Sequence, residues 1–333
     1  MASLCRCDAA KPDPAAGSGM RAWALGNKTW GAEKRVSVFR RVSVVSTVCI
    51  AIAAALGGCA TNDSASPSVV TKTVTGTPSA STTYGPSPAS SAAASQPGLA
   101  ASFAKVAAGT GLRVGVAVAP VGKGSVATVK LGDAAPGVAW STIKVPLAVA
   151  AQRANGETAA ESAAIINSDN ASAEALWASL GSNEEASRKV EAVLAEGGNP
   201  TVEVPSQQLR AGFTVFGQTQ WTLAQAATFT GHLPCMPGTD HVVSLMGQVA
   251  GNQQWGVEIM RTPKSTAVKG GWGPGADGSY LVRQIGLVTY RNGQRSAVAM
   301  SAVGGSMESG ITALNAVGNW LNKNIAALPR GGC

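Results

Sequence analysis

The stretch "WSTIKVPLAV" occupies residues 140–149. Ser141 and Lys144 stand three positions apart at the mouth of an apolar run, so a helix starting there carries both on one face. Pro146 has no N–H to donate to residue 142 and is tolerated only in a first turn, which places the helix start at Ser141. In a chain with only 13% charged residues, a lysine at this point is either an expensive accident of burial or the base for a serine nucleophile.

Outward from that helix the pattern divides in three. Upstream, "LRVGVAVAPVGKGSVATVKLGD" (112–133) gives two β-branched runs around a Gly-rich turn, a hairpin signal. Downstream, helical patterns cover 156–166, 171–181, with Gly181 as a stop, and the amphipathic 183–198. Another follows in "WTLAQAATFTGHL" (221–233), with Thr222 placed to cap it. The signal then returns to strands at 254–260, 265–271, 280–290 and 294–303, before a last helix over about 309–327. Strands from both ends of the chain must share one antiparallel sheet. The expected class is therefore α/β (α+β), a sheet flanked by helices plus an all-helical lobe from the middle of the chain.

Three short motifs fall at the joints of this layout. Ser141-Thr142-Ile143-Lys144 opens the first helix, Ser168-Asp169-Asn170 precedes a helix of the lobe, and Lys269-Gly270-Gly271 closes a strand. In that order they resemble S-x-x-K, S-D-N and K-T-G, the set shared by class A β-lactamases and penicillin-binding proteins. The resemblance extends over nearly all of 99–333 and implies a serine β-lactamase or DD-peptidase fold. It also implies roles. Lys144, desolvated and close to the cation of Lys269, would take the proton of Ser141, and Ser168 would relay protons to the leaving nitrogen. Asn170 would offer its amide to substrate, Asp169 would brace its loop, and Gly270 and Gly271 would line the substrate's path. Backbone N–H groups of Ser141 and of a residue near Gly271 would form an oxyanion hole.

Three departures from the family pattern bear on function. Ser141 and Ser168 are only 27 residues apart, shorter than in typical class A enzymes. No E-x-x-L-N loop supplies a base for deacylation, since "EGGNPTVEVPS" offers only Glu196 and Glu203, and Gly270 stands where a hydroxyl residue would help to hold a substrate carboxylate. The expected activity is thus a serine hydrolase or acyl-transferase that forms an acyl-enzyme at Ser141 and releases it slowly. The expected partner is a β-lactam or a peptidoglycan-like acyl substrate. The rival is a catalytically degenerate relative that binds cell-wall peptide or a partner protein. His232 and His241 are the only histidines, and no metal-ligand spacing occurs outside the leader, so neither metal nor cofactor is expected.

The first 98 residues read differently. Arg40 and Arg41 precede an uncharged run over 44–58 that ends in "LGGC" at Cys59, which resembles a bacterial lipoprotein signal, with a signal anchor as the alternative. Residues 1–58 are read as leader, with a start codon set too far upstream; 59–98, rich in Ser, Thr, Ala and Pro, as a tether; and 99–333 as the folded domain. Cys59 is the expected lipidation site, which anchors the chain to the extracytoplasmic face of the cell membrane. The leader's eight basic and three acidic residues supply +5 of the formal +8, which removes the main argument for nucleic-acid binding. Of six cysteines, removal of the leader and lipidation leave Cys235 and Cys333, expected to form one disulfide in a monomer.

Overall fold

The computed structural model describes residues 97–333. The leader, Cys59 and almost all of the tether lie outside the described residues. The domain opens with helix α1 (Pro97–Thr110), which the sequence reading placed inside the domain without assigning it an element. The expected hairpin follows as β1 (Arg113–Pro120) and β2 (Val129–Gly132). A short strand β3 (Gly137–Val138) then leads into the nucleophile's turn.

That turn is the first correction. Residues Trp140–Ile143 form a 3-10 turn, and helix α2 proper runs from Lys144 to Asn155. Trp140 sits at φ 47°, a left-handed conformation that costs a bulky residue on the order of 1–3 kcal/mol. The lobe adds α3 (Ala159–Ile166), α4 (Asn170–Ser179) and α5 (Asn183–Glu196), then the two-residue β4 (Gln220–Trp221), α6 (Leu223–His232) and α7 (Asp240–Met246). Their caps follow the sequence. The Thr222 side chain accepts from the Gln225 amide, and Ser182 with Glu185 closes a reciprocal capping box on α5. Every residue of α2 from Lys144 to Ala151 is buried, so this helix is the lobe's axis.

Three long strands complete the sheet: β5 (Ser265–Pro274), β6 (Tyr280–Thr289) and β7 (Arg295–Gly304), ahead of the terminal helix α8 (Met307–Lys323). The sheet is antiparallel throughout, in the order β2-β1-β7-β6-β5, so strands from both chain ends meet at the β1–β7 pair. Side-chain alternation divides it between two cores. Val116, Val118, Val282, Val298 and Met300 face α1 and α8, whereas Ala117, Ile285, Leu287 and Ala299 face the lobe.

The strand expected over 254–260 is instead a 3-10 turn, Gly256–Ile259. Gly256 has φ 66°, and its backbone packs so tightly on Gly318 of α8 that a Cβ at Gly318 would lie 2.0 Å from the Gly256 carbonyl oxygen. The alternation of Trp255 and Val257 reflects burial under α8. Cys235 and Cys333 are bridged across a separation of 98 residues, as expected.

Candidate active site

Four of the sequence-selected side chains converge where the lobe meets β5. Lys144 is fully buried, and its Nζ donates to the carbonyls of Ser168 (2.7 Å) and Asp169 (3.1 Å) and to Oδ1 of Asn170 (2.8 Å). Burial lowers its pKa to about 8, against the upward pull of the Asp169 and Glu174 carboxylates. Lys269 is also fully buried. Its Nζ donates to Ser168 Oγ (2.8 Å), Gln253 Oε1 (2.6 Å) and its neighbour's carbonyl at Gly270 (2.8 Å). Burial first, and the Lys144 charge second, push it well below the ordinary lysine range.

The segment 168–170 is built to serve both lysines. Ser168 takes φ 58°, which turns its carbonyl toward Lys144 while its hydroxyl meets Lys269. Asp169 caps α4, its Oδ1 accepting from the Ser172 amide at 2.6 Å, and hydrogen bonding to Ser172 holds its carboxyl below the usual range. Its bracing role in the loop is thus visible in the geometry. Asn170 and the half-buried Ser141 both line a cleft of about 510 Å³ between lobe and sheet. Among the described residues, the Ser141 hydroxyl has no hydrogen-bond partner, and none of the three Lys144 contacts reaches it.

The two glycines after Lys269 have opposite surroundings. A Cβ at Gly271 would lie 2.9 Å from the backbone nitrogens of Ser141 and Thr142, so glycine lets β5 press directly on the nucleophile's turn. Gly270 faces the other side of the sheet, where a Cβ would meet the Trp255 ring at 2.9 Å. A hydroxyl side chain has no room at 270 while that indole is in place.

None of the protein-family models matches the chain, and no curated protein matches it. Solved structures do. The TLA-3 extended-spectrum β-lactamase covers 68% of this chain and 98% of its own at 15% identity, with a TM-score of 0.54. The fold is that of the class A β-lactamases. A β-lactamase from Sphaerobacter thermophilus DSM 20745 and an ancestral class A β-lactamase (GNCA) each match at 17% identity with a TM-score of 0.51. Each covers 68% of this chain, and 97% and 99% of its own respectively.

Within this β-lactamase-like fold, several residues in or behind the cleft were not legible as such. Gln253 ties the halves together: its Oε1 accepts from Lys269 Nζ and the Gly270 amide, while its Nε2 donates to the carbonyls of Ile165 and Ile166. It sits in a turn with no motif. Glu174 lines the cleft one helical turn after Asn170, a spacing of four that could have exposed it. The segment around Phe213 forms the cleft's outer wall. Phe213 packs against Trp140 with ring centroids 5.1 Å apart, and Arg210 stacks on Phe213 and donates to the Pro274 carbonyl at 2.8 Å. Neither glutamate weighed from the sequence lines the cleft. Glu196 pairs with Arg153, and Glu203 borders a separate depression with Leu209. A larger groove of about 730 Å³, between α1 and α8, contains none of the motif residues.

Proposed function

We infer that the chain is an exported serine hydrolase or acyl-transferase, held at the extracytoplasmic face of the membrane through Cys59, that forms an acyl-enzyme at Ser141 and deacylates slowly. The observation that carries this reading is the pair of buried lysines joined through Ser168 beside a cleft-lining serine. Such burial is unfavourable for structure alone and keeps an amine near neutrality able to accept a proton. In the reaction, Ser141 Oγ attacks the acyl carbon while Lys144, in its neutral form, takes the hydroxyl proton. Backbone amides at Ser141 and beside Gly271 would receive the developing oxyanion. Collapse expels the leaving nitrogen, which is protonated through Ser168 from the lysine pair. The substrates that suit this chemistry are β-lactams and peptidoglycan-like acyl compounds, and the names of the solved structures it resembles point the same way.

Slow release rests on the missing E-x-x-L-N glutamate: the one glutamate lining the cleft among the described residues, Glu174, lies on α4 one turn after Asn170, where it acts on Lys144, and not in a loop of that pattern. A fluorescent penicillin or fluorophosphonate should label wild type and leave Ser141→Ala unlabelled, with the adduct mass persisting after the probe is removed. The absence of any adduct in folded wild type would overturn the hydrolase reading. Anchoring is tested separately: wild type should fractionate with membranes, and Cys59→Ala should not.

A second reading, a binder of cell-wall peptide or a partner protein without turnover, is favoured by one specific feature. All three Lys144 contacts go to residues 168–170 rather than to the Ser141 hydroxyl. Saturable binding of peptidoglycan fragments by Ser141→Ala, together with an unreactive wild type, would select it.

A further inference from the structure

Arg283 lies on the lobe-facing side of the sheet, in register with Gly271 on β5 and Ser301 on β7. It is only 2% exposed. Its Nη1 donates to three carbonyls, those of Gly137 (3.0 Å), Val138 (3.1 Å) and Trp221 (3.0 Å). Its Nε and Nη2 are equally buried and have no partner among the described residues. No ion pair among the described residues includes it, and burial lowers its pKa only to about 10, so the guanidinium is charged at neutral pH. Only those carbonyls and the face of the Trp221 ring, 5.9 Å from the guanidinium carbon, offset the charge, and a buried cation with two unpartnered nitrogens and no carboxylate is a costly arrangement.

The same side chain forms part of the wall of a cavity of about 210 Å³, separate from the cleft. Arg113 and Asp133, paired with each other at 3.7 Å, line it too, as do Ser279, Ser301 and Gln220. Two guanidinium groups and one carboxylate line this cavity, and the Asp277 carboxylate, which accepts from Ser279, lies just behind its wall. The idle edge, Nε with Nη2, is the fork whose spacing matches two oxygens of a carboxylate or phosphate.

We propose that this cavity binds a small oxyanion, a carboxylate or a phosphate, through the Nε and Nη2 edge of Arg283. Both nitrogens are covered in this structure, so binding requires the guanidinium to turn toward the cavity as the anion enters. The Ser301 hydroxyl and the Gln220 amide are available to the remaining oxygens, whereas the Ser279 hydroxyl already donates to Asp277 Oδ1 at 2.6 Å. The carbonyls that hold Nη1 include both residues of β3, two positions ahead of the Trp140–Ile143 turn, so occupancy also bears on the strand that leads to Ser141.

The test is titration of the full-length chain with inorganic phosphate and, separately, with acetate, at ionic strength held constant with sodium chloride. Wild type should show a saturable rise in melting temperature and one-to-one calorimetric binding with at least one of the two, the responding anion naming the class. Arg283→Gln should weaken binding about ten- to a hundredfold, as expected for losing a charged double hydrogen bond. Ser301→Leu keeps the guanidinium but fills the cavity, and should weaken binding to the same extent. If Arg283→Gln does not fold, Ser301→Leu decides. No saturable response of wild type to either anion overturns the proposal. So does a response that survives Ser301→Leu, because the ion then sits in the cleft with Lys144 and Lys269. The outcome is independent of whether Ser141 reacts.

Discussion

If Lys144 is the base for Ser141, acylation must follow the fraction of that lysine that is neutral. With a pKa of about 8, the neutral fraction is about one half at pH 8 and about one per cent at pH 6, so the acylation rate constant should fall about 50-fold between them. Below pH 7 the slope should approach tenfold per unit. A normal lysine, with a pKa of 10.5, would also give a tenfold slope, but the rate would keep climbing past pH 9 rather than level off. The plateau is therefore the diagnostic feature. The carboxylates add a second handle: Glu174 raises the Lys144 pKa, so Glu174→Gln should move the midpoint below 8 and quicken acylation at pH 6. The assay is the second-order rate constant for covalent labelling by a fluorescent penicillin from pH 5.5 to 9.5, corrected for the probe's own hydrolysis. A rate that is flat from pH 6 to 8, or a midpoint that Glu174→Gln leaves in place or raises, would refute the assignment of Lys144 as base.

Three further perturbations have definite signs. Gly271→Ala drives a methyl to 2.9 Å from the Ser141 and Thr142 nitrogens, so labelling should drop by an order of magnitude or more while circular dichroism keeps the native signal. Replacing both Cys235 and Cys333 by serine releases a loop of 98 residues and should cost about 4.7 kcal/mol in chain-entropy terms, read from urea unfolding. Glu161 is fully buried, and neither carboxyl oxygen has a hydrogen-bond partner; burial raises its pKa despite the opposing charge of His241. Its folded state therefore favours the protonated acid, so stability is present below the ordinary carboxylate range and is lost as pH rises through the raised value. Glu161→Gln should be at least as stable as wild type at pH 8, with the difference shrinking toward pH 4; a large loss of stability at pH 8 would contradict this.

The sheet and the lobe were legible because their signals are local and periodic. The strand-type runs over 113–120 and 295–304, and the Thr222 cap, each concern residues a few positions apart. What escaped depends on contacts distant in sequence. Trp255 and Val257 alternate like a strand, but Gly256 is pressed onto Gly318, more than sixty residues away, and the backbone turns. The same holds at the site. Lys144, Ser168, Asn170 and Lys269 meet through hydrogen bonds, and Ser141 lines the same cleft as Asn170; the first two motifs sit where helices begin, whereas Lys269-Gly270-Gly271, expected to close its strand, lies mid-way along β5, which continues to Pro274. Gln253 and Phe213 belong to irregular segments, and nothing in their own neighbourhoods marks what they will touch.

The indole of Trp255 beneath Gly270 also limits how this chain could change. A hydroxyl at 270, as in the K-T-G pattern, cannot be reached by one substitution, because threonine there collides with a ring fixed by its own hydrogen bond to the Asn252 carbonyl. Trimming Trp255 first empties a space whose cost is about 3–5 kcal/mol, enough to threaten a domain of ordinary stability. Either order of mutation passes through an unfit intermediate. The two positions are thus locked to each other, and directed evolution toward a hydroxyl at 270 should succeed only from libraries that vary 255 and 270 together.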